Sequence, residues 1–172
     1  MSGSNIAIGV EGVDFATAYT VSSTTPEYPG APHQVGTRVN AGNLGTWVFC
    51  VAGGSITAND IVICTTNSSF TVQAMTNTLA SSKLGQWVGK AGATATSGQY
   101  LWVQVAGYAA AVNAATGMTG FTATRSTSTA GRIDDTITGG TTVAIAGIVL
   151  LATAASNTAA AHLSNPTVGA ND

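Results

Sequence analysis

Every tryptophan in this chain is followed by valine: Trp47-Val48, Trp87-Val88 and Trp102-Val103. Each dipeptide sits in a short alternating stretch opened by glycine: GTWVFCVAG, GQWVGKAG and GQYLWVQVAG. Successive side chains on a β-strand point to opposite faces. Such stretches therefore put bulky residues on one face and small or polar ones on the other. The three dipeptides predict short, half-buried strands, with Trp47, Trp87 and Trp102 as core pins.

The segments around them agree. GTRVN, AGN and LGTWVFCVA read as a hairpin turning at Ala41-Gly42-Asn43. A turn at Asn59-Asp60 precedes a strand over 61–66, and Asn67-Ser68 leads into a return strand over 70–75. Residues 77–83 connect to GQWVGKA, and GATATSG links on to QYLWVQVAG. Later strands are expected at FTATRS, in VAIAGIVLLATA and at TAAAHLS, with a possible short helical turn over 109–115. Turns recur about every ten residues, the spacing of sandwiches and barrels. The Trp-Val recurrence is unevenly spaced, so no solenoid or propeller is expected.

Residues 1–35 differ from the rest. They hold three of the seven acids (Glu11, Asp14, Glu27) and three of the four prolines (Pro26, Pro29, Pro32). Proline fixes φ and donates no backbone hydrogen bond, so TTPEYPGAP favours an extended linker. The expected organisation is an N-terminal arm over 1–35, a β core domain over 36–165 and a tail over 166–172.

Composition narrows the function. Only 7% of residues are charged, against about 25% in typical domains. A surface of Thr, Ser, Asn and Gly stays wet without charge, and burying it against another subunit desolvates no ion. That points to a subunit of an assembly. Arg38, Lys83, Lys90, Arg125 and Arg132 are scattered, so no nucleic-acid partner is expected. The most apolar run, 143–155, is about a dozen residues, short of the roughly 20 that span a bilayer. No membrane partner is expected, and the N-terminus lacks the layout of a secretory signal.

Candidate chemistry is sparse. A hydrolase could combine His162 with Asp134 or Asp135 and a serine, but no nucleophile elbow is present. Asp134 and Asp135 are adjacent, which suits a turn near Arg132 better than two carboxylates facing one substrate. They could join a calcium site, though no D-x-D-x-D loop supports one. Cys50, Cys64, His33 and His162 match no zinc-finger spacing, and the cysteines read as two buried reduced thiols. No nucleotide-binding glycine loop occurs. Asn67-Ser68-Ser69 is a formal glycosylation sequon. No enzyme activity, metal or cofactor is expected. Tyr100 and Tyr108, if exposed together, would offer a glycan or subunit contact.

The ordered series GTRVN, WVFCVAGGSITANDIVI, WVGKA, SGQYLWVQVAGYAAAVNA, TAGRIDDT and VAIAGIVLLATAASNTAAAHL resembles small head proteins of tailed bacteriophages, the capsid decoration (cement) and head-fibre-like proteins. The likeness covers about residues 36–163 and is best at Trp102-Val103-Gln104-Val105-Ala106-Gly107. It rests on strands and turns, not on reactive residues. It implies a β-barrel or β-tulip-like domain on the outer surface of an icosahedral capsid, oligomeric about a symmetry axis and without catalysis. The expected partners are the major capsid protein and further copies of the chain, with a trimer as the expected order. The expected location is the virion's outer capsid surface, after synthesis in the host cytoplasm. The arm, through Tyr19, Tyr28 and Pro29, is the expected capsid or inter-subunit contact on composition alone. Deleting it is expected to leave a folded core that no longer binds capsids. The alternative is a fibre or receptor-binding module recognising glycan, although no coiled-coil or collagen-like shaft is present.

Overall fold

The computed structural model describes residues 13–20, 31–137 and 142–171, and the side chains of 170 and 171 are left aside. The described chain is nearly all β, with a closed five-strand barrel and further strands.

The barrel is a ring of five strand pairings, with one further strand hairpinned onto it. β1 (Arg38–Asn40) and β2 (Thr46–Ala52) pair antiparallel, with Val39 opposite Trp47, across a one-turn 3-10 helix at Gly42–Leu44. β3 (Ile61–Thr66) and β4 (Thr71–Ala74) form the second hairpin. β4 runs parallel to β2. β5 (Val88–Ala91) joins β3 to β6 (Tyr100–Asn113), and β6 pairs back onto β2 with Val48 opposite Val103. That last pairing closes the ring β2-β4-β3-β5-β6.

The far half of β6 leaves the barrel and carries the rest of the sheet. It pairs with β10 (Thr158–Asn171), which pairs with β9 (Val143–Leu150). β7 (Thr124–Ser126) and β8 (Ile133–Asp134) complete the edge. The short helix α1 (Asn77–Ser81) follows β4, its first turn capped by Thr76 Oγ1, which accepts from the Leu79 amide at 3.2 Å.

Three cores result. Val48, Cys50, Val62, Val72, Leu101 and Val103 fill the barrel interior. A five-strand ring is narrower than the eight-strand barrels whose interiors side chains just fill, so mid-sized aliphatic residues suit it. Outside one wall, Ile61, Ile63, Met75 and Val88 pack with Ile148, Leu150 and Leu163. Outside the opposite wall lie Trp47, Phe49 and Trp102. Most of β2 and β3 is therefore buried on both faces, because both sides carry a packed layer.

Three expectations change. Residues 109–113, read as a possible helical turn, continue β6, because Ala109 and Val112 find partners in Ala161 and Ala159 of β10. Residues 77–83, read as a plain connection, contain α1. Residues 166–171, read as tail, belong to β10. Proline donates no ladder hydrogen bond, and Pro166 falls where the β10–β9 register shifts between Leu163 and Thr167, beside Asn165 at φ 46. Beyond it Val168 is buried and its amide donates to the Gln86 carbonyl.

Candidate interaction surfaces

Alternation along β2 and β6 turns Trp47 and Phe49, and Tyr100 and Trp102, to the same outer face, with Phe49 opposite Trp102 in register. Four aromatic rings on one side of a strand pair need a cover, and the N-terminal arm supplies it. Phe15 stacks on Trp47 with centroids 4.5 Å apart and meets Trp102 edge-on at 5.6 Å. Tyr19 packs edge-on against Phe49, and Tyr100 stacks on Phe49. His33 sits 5.3 Å from Phe49 and 5.1 Å from Trp102, centroid to centroid. Each such pair adds about 0.5–1.5 kcal/mol beyond the area it buries.

Backbone contacts fix the arm as well. Tyr19 and Tyr100 exchange two amide-carbonyl hydrogen bonds, at 2.7 and 2.8 Å. Asp14 turns the chain ahead of this bridge: one carboxylate oxygen accepts from the Ala16 amide and the other from the Thr17 hydroxyl. Those bonds hold its carboxyl below the usual range. The Phe15 carbonyl passes so close to Gly92 that a Cβ there would overlap it. Burial pushes the Tyr19 phenol up and the His33 imidazole down. Lys90 places its ammonium 5.4 Å from the Trp47 ring centre, and desolvation lowers its pKa.

Trp102 is fully buried and Trp47 nearly so, but both lie outside the barrel, beneath the arm. Trp87 is half-buried and packs against the interior cluster. Tyr19 belongs to the arm–barrel contact within the chain. Tyr28 and Pro29 lie outside the described residues. The sequence does carry a signal for the aromatic wall: the two i, i+2 aromatic pairs, Trp47/Phe49 and Tyr100/Trp102. Its cover, Phe15 and His33, has no local signature.

The chemistry-bearing side chains are engaged in local structure. Asp134 Oδ1 accepts from the amides of Asp135 and Thr136. Asp135 accepts from the Thr119 amide at 2.9 Å, which lowers its pKa. The thiols of Cys50 and Cys64 are free and buried, and burial raises both pKa values. Cys64 Sγ donates to Asn67 Oδ1, within the sequon. Asp60, 7% exposed, accepts from the Thr57 amide at 2.7 Å and from Asn113 Nδ2 at 2.8 Å. Among the described residues, no three His, Cys, Asp or Glu side chains are grouped to hold a metal ion. His33 lies in the aromatic wall, whereas His162 is exposed on β10 between Tyr108 of β6 and Val149 of β9. Tyr100 is covered and Tyr108 faces out, so the two tyrosines do not form a joint exposed pair.

Comparison with protein-family models, with curated proteins and with solved structures finds no match to this chain.

Proposed function

We propose that this chain is a virion structural protein, a decoration or cement protein on the outer surface of a tailed-phage capsid. It bridges neighbouring major capsid subunits as a homo-oligomer and performs no catalysis. One observation carries the reading. The segments that resemble phage head proteins, WVFCVA, IVI, VGKA and WVQVAG, coincide with β2, β3, β5 and β6, four of the five barrel strands. The likeness thus falls on the barrel itself.

The mechanism is mass action. A protein that binds the assembled shell and not its dissociated subunits stabilises the shell by RT ln(1 + [L]/Kd), about 2.7 kcal/mol per site at a hundredfold excess over Kd. Several weak contacts per oligomer multiply through valency. The test mixes the full chain with tailed-phage shells stripped of decoration, followed by co-sedimentation and shell melting. The reading expects saturable binding and a higher melting temperature for the shell, with none for unassembled capsid subunits. Absence of binding to expanded shells would overturn it. No observation favours the glycan-binding alternative, since Tyr100 is stacked beneath the arm.

A further inference from the structure

The stretch 13–20 covers the aromatic wall but is held to it thinly. None of its residues is fully buried: Val13, Phe15, Ala18 and Tyr19 are half-buried, and Asp14, Ala16, Thr17 and Thr20 are exposed. Among the described residues, its backbone bonds to the barrel are the two that Tyr19 and Tyr100 exchange. One side-chain bond joins them, from Gln99 Nε2 to Thr20 Oγ1 at 2.8 Å. The bonds at Asp14 are internal to the stretch: its carboxylate accepts from Ala16 and Thr17, and its carbonyl accepts from Tyr19 Oη at 3.0 Å. They hold the stretch to itself and not to the barrel.

The seat beneath is also imperfect. Trp102 is fully buried there, yet its indole Nε1 has no hydrogen-bond partner. The Tyr19 phenol stands near the indole but outside hydrogen-bond geometry, and its hydroxyl donates to Asp14 instead. A buried donor without a partner opposes the state that buries it, and water would satisfy this one if the cover lifted. The ring of barrel strands contains no residue of 13–20, so lifting breaks none of its pairings. Few buried contacts and few backbone bonds mark the segments of a protein that open before the whole unfolds.

We propose that residues 13–20 are a strap that lifts off the folded barrel as one unit, in a minor open state that uncovers Trp47 and Trp102. Phe15 and Tyr19 are its two anchors, four residues apart on one self-bonded stretch, so both release together. Residues 31–35 stay, because the Gly36 amide on the Phe49 carbonyl carries them into β1. The strap belongs to the free chain and stands whether or not shells bind.

The test is native-state hydrogen exchange of the full chain, read residue by residue by nuclear magnetic resonance. The Tyr19 and Tyr100 amides bond only to each other's carbonyls, whereas the Ile61 and Cys64 amides bond to Gly131 and Trp87 within the core. The strap predicts one shared protection for Tyr19 and Tyr100, lower than that of Ile61 and Cys64 by on the order of 100-fold or more. Phe15→Ala should speed Tyr19 and Tyr100 alike, by about 5- to 150-fold. Ile63→Val, a conservative change in the core, should speed Ile61 and Cys64 by about 2- to 13-fold and leave the strap amides at their wild-type rates. Core-like protection at Tyr19 and Tyr100 overturns the inference, as does their acceleration by Ile63→Val in step with Cys64. Absence of any protection at Tyr19, or protection at Tyr19 and Tyr100 that differs by more than about tenfold, overturns it as well.

Discussion

Phe15 lies flat on Trp47, its ring inclined only 19° to the indole plane. An arm residue thus covers one side of the barrel wall, making residues 13–20 part of the fold. Complete deletion of residues 1–35 would strip the cover from Trp47, Phe49 and Trp102, so it cannot serve as a clean probe of capsid contact. A point substitution is the sharper test. Burying a whole phenylalanine is worth about 3–5 kcal/mol against alanine. Phe15 is half-buried, so Phe15→Ala should cost about 1–3 kcal/mol in denaturant titration. Tryptophan emission should shift to the red as Trp47 gains water. An unchanged spectrum would place the arm elsewhere in solution.

Arm docking should weaken in mild acid. Burial holds His33 below the usual histidine value of 6.5. The docked state then binds its proton less readily than the free arm. Docking is at full strength above about pH 6.5 and declines as the pH falls through the lowered value. The hydrogen bonds from Thr17 and Ala16 hold the Asp14 carboxyl below the ordinary carboxylate range, and its support of the arm is lost only in stronger acid, so the two steps separate. Fluorescence titration should show the His33 step in wild type and not in His33→Phe. A step that persists in the variant would assign it to another group.

Asp60 should be a stability residue. Asp60→Ala removes the acceptor of two part-buried donors, the Thr57 amide and Asn113 Nδ2, which water reaches in part, so each bond is worth about 0.5–1.5 kcal/mol. A loss of about 1–3 kcal/mol is expected from chemical denaturation. Gly131→Ala should mimic it in part, because Gly131 sits at φ 76 and its Cβ would overlap the Asp60 carboxylate. Wild-type stability for Asp60→Ala would show that those donors find other partners.

Neither thiol should react in the folded protein. Thiolate is the nucleophile, and burial disfavours it at both Cys50 and Cys64. Ellman's reagent should titrate both cysteines after denaturation and almost none before. Rapid labelling of the native protein would show that the barrel opens.

Alternation and turn chemistry made the strands legible: the hairpins at 38–52 and 61–74 stand close to where Gly42, Asn59 and Asn67 place them. Alternation also sorts Trp47 from Val48, but it cannot say which face is the barrel's inside. That depends on ring closure between β2 and β6, which are separated by 47 residues from Ala52 to Tyr100 and have no local signal. Proline suggested an end at Pro166, and the register shift beside it let β10 continue. The row across β6, β10 and β9 was hidden for the same reason: Tyr108, His162 and Val149 meet only through tertiary pairing.

The central claim is most directly tested by cryo-electron microscopy of phage particles with and without this chain. Decoration requires density for the barrel on the outer capsid surface at defined symmetry positions, absent when the chain is omitted. Density at the tail tip, or particles identical with and without it, would contradict the account.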